Sequence, residues 1–441
     1  MEQFGFLRTD DPRSRGLPVG FVATNYRPKS AAPSPVEFVG FSCVLCHSTE
    51  IRAEGSDETH FVVGPGNSSL NLFAWADAFQ AAILDQDRLT VDSIVDTYEA
   101  RTGESLSTME KLFIGLWLRQ IRSTLQRALP RFDEPYGYAD SLTPAAVPTG
   151  PGRTQPFRTI IRRFLNLPGT DMAVYTKISP VYQQGLKAWA QVDGSVGDLP
   201  TRSSAAALAA GATADNLAHP EIAHNIIAST AYTTGLHGPG YADLFTQEAQ
   251  AIDPDRVARG QQVYMAHCNS CHGHPDPGTG EWIRGEQQGE VVPHQDIGTD
   301  PERVVFRHNE RIADTIYQVF PEDHPFSFPR EVLRTTGGYI NSPIDSAFSR
   351  APYLHNASVL TLAELINLKP RRNFFYRGRN LYDPRDLGFI SPESPDTNVY
   401  FPFDTSLRGN SNKGHDYPWA YQGTGWNEQE LIDLLEYLKT V

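Results

Sequence analysis

Apolar positions in residues 1–68 form few periodic runs and are interrupted by glycine and proline, which predicts loops rather than regular elements. Helical spacing then sets in. Over residues 70–84 and 108–129 apolar side chains recur at intervals of three and four, and in the second run Leu112, Ile114, Leu116, Trp117 and Ile121 share one broad face, read as a packing face. Residues 157–165 and 203–210 are shorter helical candidates, and the Pro/Gly-rich stretch 143–154 reads as a connector. Near residue 250 the pattern restarts. Asp253-Pro254 signals a helix start with proline in the first turn, and Val257, Gly260, Val263 and Tyr264 carry the run to Cys268. At the far end Asn427 is placed as the N-cap of a helix over 428–441, where Leu431, Leu434, Leu435 and Leu438 make an amphipathic face.

Composition narrows the classes. A chain of 441 residues suggests two to three domains, and 40% hydrophobic residues is ordinary for chains that bury real cores. With 52 acidic against 38 basic residues the formal charge is −14, which argues against a nucleic-acid partner and against a polybasic membrane patch. No apolar run approaches the roughly 20 residues that span a bilayer. There is no nucleotide loop, H-E-x-x-H or G-x-S-x-G, and Gly64-Pro65-Gly66-Asn67 reads as a turn rather than a phosphate cradle.

The chemistry lies in the cysteines. The sequence has four, and they fall into Cys43-Val44-Leu45-Cys46-His47 and Cys268-Asn269-Ser270-Cys271-His272. This spacing suits covalent haem attachment: each thiol adds to one vinyl group and the following histidine reaches the iron. Two c-type haems are therefore expected, with Cys43, Cys46, Cys268 and Cys271 as tethers and His47 and His272 as proximal ligands. The alternatives are structural disulfides or a zinc shared by both pairs. A zinc site would require the pairs to converge, and zinc modules separate theirs by far fewer residues.

A helix delivering the chain to C-x-x-C-H, with a terminal helix across it, is also how small c-type cytochromes are built. The expected architecture is mainly α, with two cytochrome c-like haem domains, 1–250 and 251–441, long loops and little β structure. Haem is attached to such motifs outside the bacterial inner membrane, so a periplasmic or secreted location is expected. The start Met1-Glu2-Gln3-Phe4 has neither a basic n-region nor an apolar h-region, so the sequence is expected to lack its true beginning.

The sixth ligand decides whether an iron only passes electrons or also binds dioxygen or peroxide. The four methionines are Met1, Met109, Met172 and Met265; none follows His272, and Met265 precedes the motif too closely to reach the opposite face. The C-terminal iron must look to His274, His294, His308, His324, His355 or His415. Of these, His415 stands out, in a glycine-bounded loop just before the terminal helix. For the N-terminal iron His60, His219, His224, His237, Met109 and Met172 remain open. That iron is expected to be open to a ligand, in a pocket lined by apolar and aromatic side chains from residues 70–240.

The chain resembles bacterial di-haem c-type cytochromes of the cytochrome c peroxidase group, and within it looks most like the rubber oxygenase branch. The resemblance rests on Leu17-Pro18-Val19-Gly20-Phe21, on Asp296-Ile297-Gly298-Thr299-Asp300-Pro301, and on Ala351-Pro352-Tyr353-Leu354-His355-Asn356 with Thr361-Leu362. It continues in Arg377-Gly378 with Tyr382-Asp383-Pro384, the loop 409–417, and Leu435-Glu436-Tyr437-Leu438-Lys439-Thr440. It implies an oxygen-reactive N-terminal haem on His47, a C-terminal haem held by His272 and His415, and a structural or supporting role for His355. Where relatives often carry His-Trp-Asp-Gly, this chain reads Gln191-Val192-Asp193-Gly194.

The expected function is a di-haem oxidoreductase acting on dioxygen or peroxide, with a small-molecule or polymeric organic substrate or a redox-protein donor. His47 would hold the reactive iron, and the second haem would relay or store electrons. Trp75, Trp117 or Trp189 could bridge the haems, although each reads more readily as core. One alternative is a cytochrome c peroxidase-type enzyme, with Glu99, Glu104 or Glu110 as distal carboxylate. Another is a non-catalytic electron carrier whose acidic surface meets a basic partner.

Overall fold

The computed structural model describes residues 1–24, 38–132, 147–155, 174–305, 314, 317, 320, 322–327, 330–417 and 427–441. The helical candidate 157–165, residues 143–146 of the connector, Met172 and His308 lie outside them.

The periodic runs form helices close to their expected bounds. Asn71 caps Leu72–Leu84 through Ala74 N, and the second run forms Thr108–Phe132. The face read on the second helix is only partly a packing face: Ile114 and Trp117 are half-buried, Leu112, Leu116 and Ile121 are exposed, and the buried residue is Leu118, outside that set. The candidate at 203–210 starts earlier, as Leu199–Ala210, because Asp198 caps it and Pro200 fits its first turn. Val91–Thr102 and Pro220–Thr234 are further helices.

The helix Pro254–His267 packs against the terminal helix Glu428–Tyr437. Both caps form as the sequence indicates: Asp253 accepts from Asp255 N and Arg256 N, and Asn427 and Glu430 make a reciprocal capping box. Gly260 permits the crossing, since a Cβ there would lie 1.9 Å from the Asp433 carbonyl oxygen. Leu431, Leu434, Leu435 and Leu438 are buried beneath it.

The expectation of a mainly α molecule is overturned. The fold is mixed α/β, 39% helix and 14% strand, the strands gathered in several small sheets. Most of these strands are two to four residues long, too short to leave a period-two signature between glycines and prolines. Four of them lie in the segment read as loops: Phe21–Thr24 pairs with Phe38–Phe41, and Ser48–Ala53 with His60–Val63, both antiparallel. The largest sheet has four strands in the order Gly388–Phe389, Leu381–Asp383, Ser48–Ala53, His60–Val63. Its central pair is parallel, Leu381 opposite Arg52 and Tyr382 opposite Ala53, so early and late parts of the chain share one sheet. The main core mixes them too: Ile51 and Val62 pack in one cluster with Tyr264, Phe348, Leu360, Tyr382 and Leu434.

Candidate functional site

Each Cys-x-x-Cys-His segment folds into a single helical turn. In the first, His47 N donates to Cys43 O at 2.9 Å; in the second, His272 N donates to Cys268 O at 3.0 Å. Residues at i, i+3 and i+4 lie on one face of such a turn, so both thiols and the imidazole point the same way. All four cysteines are free. Burial pushes the thiols of Cys46 and Cys268 up to about 12 and raises those of Cys43 and Cys271. A redox Cys-x-x-Cys works with a lowered thiol pKa, whereas burial moves these four the other way. Among the described residues, no three His, Cys, Asp or Glu side chains converge as metal ligands, so the cysteine pairs do not form one zinc site.

The second site is the more complete. His272 Nδ1 lies 2.7 Å from the Ser342 carbonyl oxygen. A carbonyl only accepts, so Nδ1 carries the proton and Nε2 presents its lone pair, the arrangement typical of metal-ligating histidines. The ring of His415 stands opposite, its centroid 6.1 Å from that of His272 and the planes tilted by 46°. Two imidazoles bound at about 2 Å on opposite sides of one metal would place their ring centres about 6 Å apart. Burial, the neighbouring His272 and Arg371 push His415 down to about 3, and burial lowers His272 as well. Both are therefore neutral at physiological pH, the form that binds metals.

The other histidines after the second motif have different engagements. His274 Nδ1 meets Asn269 Oδ1 at 2.7 Å, His294 Nδ1 meets the Gly337 carbonyl at 3.2 Å, and His324 Nε2 meets the Ala214 carbonyl at 2.9 Å. His355 Nε2 lies 3.0 Å from the Tyr339 hydroxyl, with the two rings stacked at 4.4 Å. It belongs to a buried network outside the ring pair.

At the first site burial pushes His47 down to about 4, opposed by the backbone of Ser179. Its Nδ1 is buried and makes no hydrogen bond. The Ser179 backbone lies near His47, as the Ser342 carbonyl holds His272. Exposed apolar side chains surround this motif. Val39 and Phe41 precede it, Val44 lies within it, and Val63 pairs opposite Ser48 just after it. Ile227 and Tyr232 are exposed on the helix whose Ser229 hydrogen-bonds Cys43. Two tethering thiols, a neutral imidazole with an orphaned nitrogen and an apolar rim make a donor set and bed that fit a c-type haem.

Among the described residues, no histidine ring packs against His47 as His415 does against His272. His60 lies 3.9 Å from Glu58, His237 Nδ1 meets Gln183 Nε2 at 3.2 Å, and His224 and Met109 are exposed. Glu99, Glu104 and Glu110 serve surface contacts, with Leu106 N, the Tyr98 hydroxyl and Ser107 respectively. The three tryptophans are packing residues: Trp75 stacks on Phe79 beside Phe6 and Phe41, Trp117 meets Phe38, and Trp189 lies under Arg334. A further aromatic ring near the first site is Tyr182, fully buried. It lies against Gly64, whose N–H donates to the His47 carbonyl, and its ring centroid is 5.6 Å from Arg350 Cζ. Arg350 in turn acts electrostatically on His272.

Comparison with known proteins bears on these residues. Residues 338–376 match the RoxA-like, cytochrome c-like family. The matched segment contains Ser342, which holds His272, together with His355, Asn356 and Arg371. Along its whole length the chain is 24% identical to the uncharacterized protein y4iJ of Sinorhizobium fredii, covering 84% of that protein. It is 27% identical to the uncharacterized protein y4iM of the same organism over 61% of this chain and 65% of that protein. At a coarse level the chain is related to RoxA-like cytochromes c, which points to a haem protein. None of the described helices is long and apolar enough to cross a membrane.

Proposed function

We propose that the chain is a di-haem c-type cytochrome oxidoreductase of the periplasm or cell exterior, with one haem unit in residues 1–250 and the other in 251–441. A bound c-type haem supplies an iron that exchanges single electrons and, where one coordination position is free, takes up dioxygen or peroxide. Cys43 and Cys46 would tether the first haem, with His47 as its ligand, and Cys268 and Cys271 would tether the second, with His272 and His415 as its ligands.

The observation that carries this reading is the difference between the two histidines: His272 faces the imidazole of His415 at ligating separation, whereas among the described residues no second imidazole packs against His47. His47 would hold the haem open to dioxygen or peroxide, and His272 with His415 would hold the haem that supplies or stores electrons. The apolar surroundings of the first motif limit water and favour controlled oxygen chemistry over release of reactive species. Its partners are dioxygen or peroxide, with an organic substrate or a redox-protein donor.

The test is spectroscopic. The chain, produced with a secretory leader and haem-maturation machinery, should carry two covalent haems. Its visible and electron paramagnetic resonance spectra should show one low-spin bis-histidine haem and one haem that binds carbon monoxide. Two low-spin haems inert to carbon monoxide would overturn the enzyme reading and leave an electron carrier. A single haem would overturn the di-haem assignment.

A further inference from the structure

The segment bearing His415 has no regular secondary structure, yet its backbone is fixed at several points. His415 itself adopts a left-handed conformation at φ +53°, which a residue with a side chain rarely takes. Its N–H donates to the Ile297 carbonyl at 2.8 Å. The preceding Gly414, at φ +80°, lies so close to Gly298 and Thr299 that a Cβ would come within 2.2 Å of their backbone. Such a conformation persists only where surrounding contacts over-determine it.

Those contacts converge on Arg371, whose side chain is 10% exposed. Nη1 donates to the carbonyls of Asn412 at 2.6 Å and Gly414 at 2.8 Å; Nη2 donates to Leu365 at 3.0 Å and reaches His415 O at 3.5 Å; Nε donates to Glu364 at 3.3 Å. Asp416, the residue after His415, closes an ion pair with it at 3.4 Å. One guanidinium therefore grips the backbone on both sides of His415 and ties it to the turn Leu362–Leu365. The other end of the loop has its own anchor: Asn356 Nδ2 donates to the carbonyls of Gly409 and Ser411 at 3.1 and 2.9 Å.

We propose that Arg371 is the positioning residue for the distal ligand of the C-terminal haem. By fixing the carbonyls at 412, 414 and 415 it keeps the His415 imidazole facing His272, and so keeps that iron six-coordinate. A planar five-donor fork does this where an ammonium cannot, because the carbonyls it serves lie in two directions. The inference rests on the reading of His415 as the sixth ligand.

The experiment compares holoprotein variants Arg371→Gln, Arg371→Lys, Asn356→Ala and His415→Ala by electron paramagnetic resonance, carbon monoxide binding and midpoint potential. His415→Ala should abolish the low-spin bis-histidine signal. Arg371→Gln should lose most of that signal, bind carbon monoxide at the C-terminal haem and shift its potential, with covalent haem content and the N-terminal haem spectrum unchanged. Arg371→Lys, whose ammonium serves only some of these carbonyls, should keep part of the low-spin visible spectrum at room temperature and lose it on heating before the wild type does. Asn356→Ala, at the far anchor, should leave it in place.

An unchanged signal and potential in Arg371→Gln, beside their loss in His415→Ala, would overturn the positioning role alone. An unchanged signal in His415→Ala would overturn the ligand assignment and the inference with it. If Arg371→Gln fails to fold, the lysine variant decides, and a wild-type loss temperature there counts against the proposal.

Discussion

Tyr339 gives its single hydroxyl proton to the Asp300 carbonyl, so the 3.0 Å contact with His355 must be donated by His355 Nε2. That tautomer cannot ligate a metal through Nε2, which separates His355 from His415 on chemical grounds although both rings are pushed down to about 3. Replacing Tyr339 by Phe leaves a buried carbonyl and a buried ring N–H without their partner and should lower stability by about 1–3 kcal/mol. The haem spectra should stay unchanged; urea unfolding beside visible spectra checks both, and altered axial ligation would show that His355 does reach the iron. At this scale the sequence was most readable where side-chain identity carries the chemistry. Cys-x-x-Cys-His is legible because one helical turn suffices to align it. The carbonyl of Ser342, which holds His272, is not, because a backbone acceptor has no residue type of its own.

The helix leading to Cys268 and the terminal helix were legible because caps, period and a close-approach glycine agreed across each of them. The small strands were not, being fixed by partners distant in sequence rather than by local pattern. Between the two helices lies Asp433, buried, accepting from Arg259 Nε at 2.6 Å and from Gln429 Nε2 at 2.8 Å. The Arg259 hydrogen bond first, and that of Gln429 after it, hold this carboxyl below the ordinary carboxylate range. A depressed carboxyl contributes stability in full above its unfolded value, about 3.9, and loses it as the pH falls through the folded value. Asp433→Asn should therefore have a lower urea midpoint than the wild type at pH 7, and the gap should narrow steadily below about pH 4. A gap of constant size across that range would mean that the pair acts through packing and not through charge.

The four-stranded sheet joins early and late parts of the chain, which each carry one Cys-x-x-Cys-His segment. Leu381–Asp383 lies between Ser48–Ala53 and Gly388–Phe389, and Tyr382, fully buried, stacks on Phe245 while donating its hydroxyl to the Phe348 carbonyl. Asn380 Nδ2 donates to Thr49 Oγ1 at 2.6 Å and Arg377 Nη2 to Ser68 O at 2.9 Å, so residues after the first Cys-x-x-Cys-His segment depend on residues more than 300 positions later. Two parts of the chain that share a sheet in this way should not separate cleanly. Residues 251–441 produced alone would expose the edge of Leu381–Asp383 and the apolar surface that Ile51 and Val62 cover, an arrangement prone to aggregation. Produced together with residues 1–250 as a second chain, the two pieces should co-purify as one particle with the spectrum of the intact protein. Size-exclusion chromatography with absorbance at a haem band measures this directly. A monodisperse, fully low-spin 251–441 fragment would show instead that the C-terminal unit is self-sufficient and that the shared sheet merely docks a separate first domain.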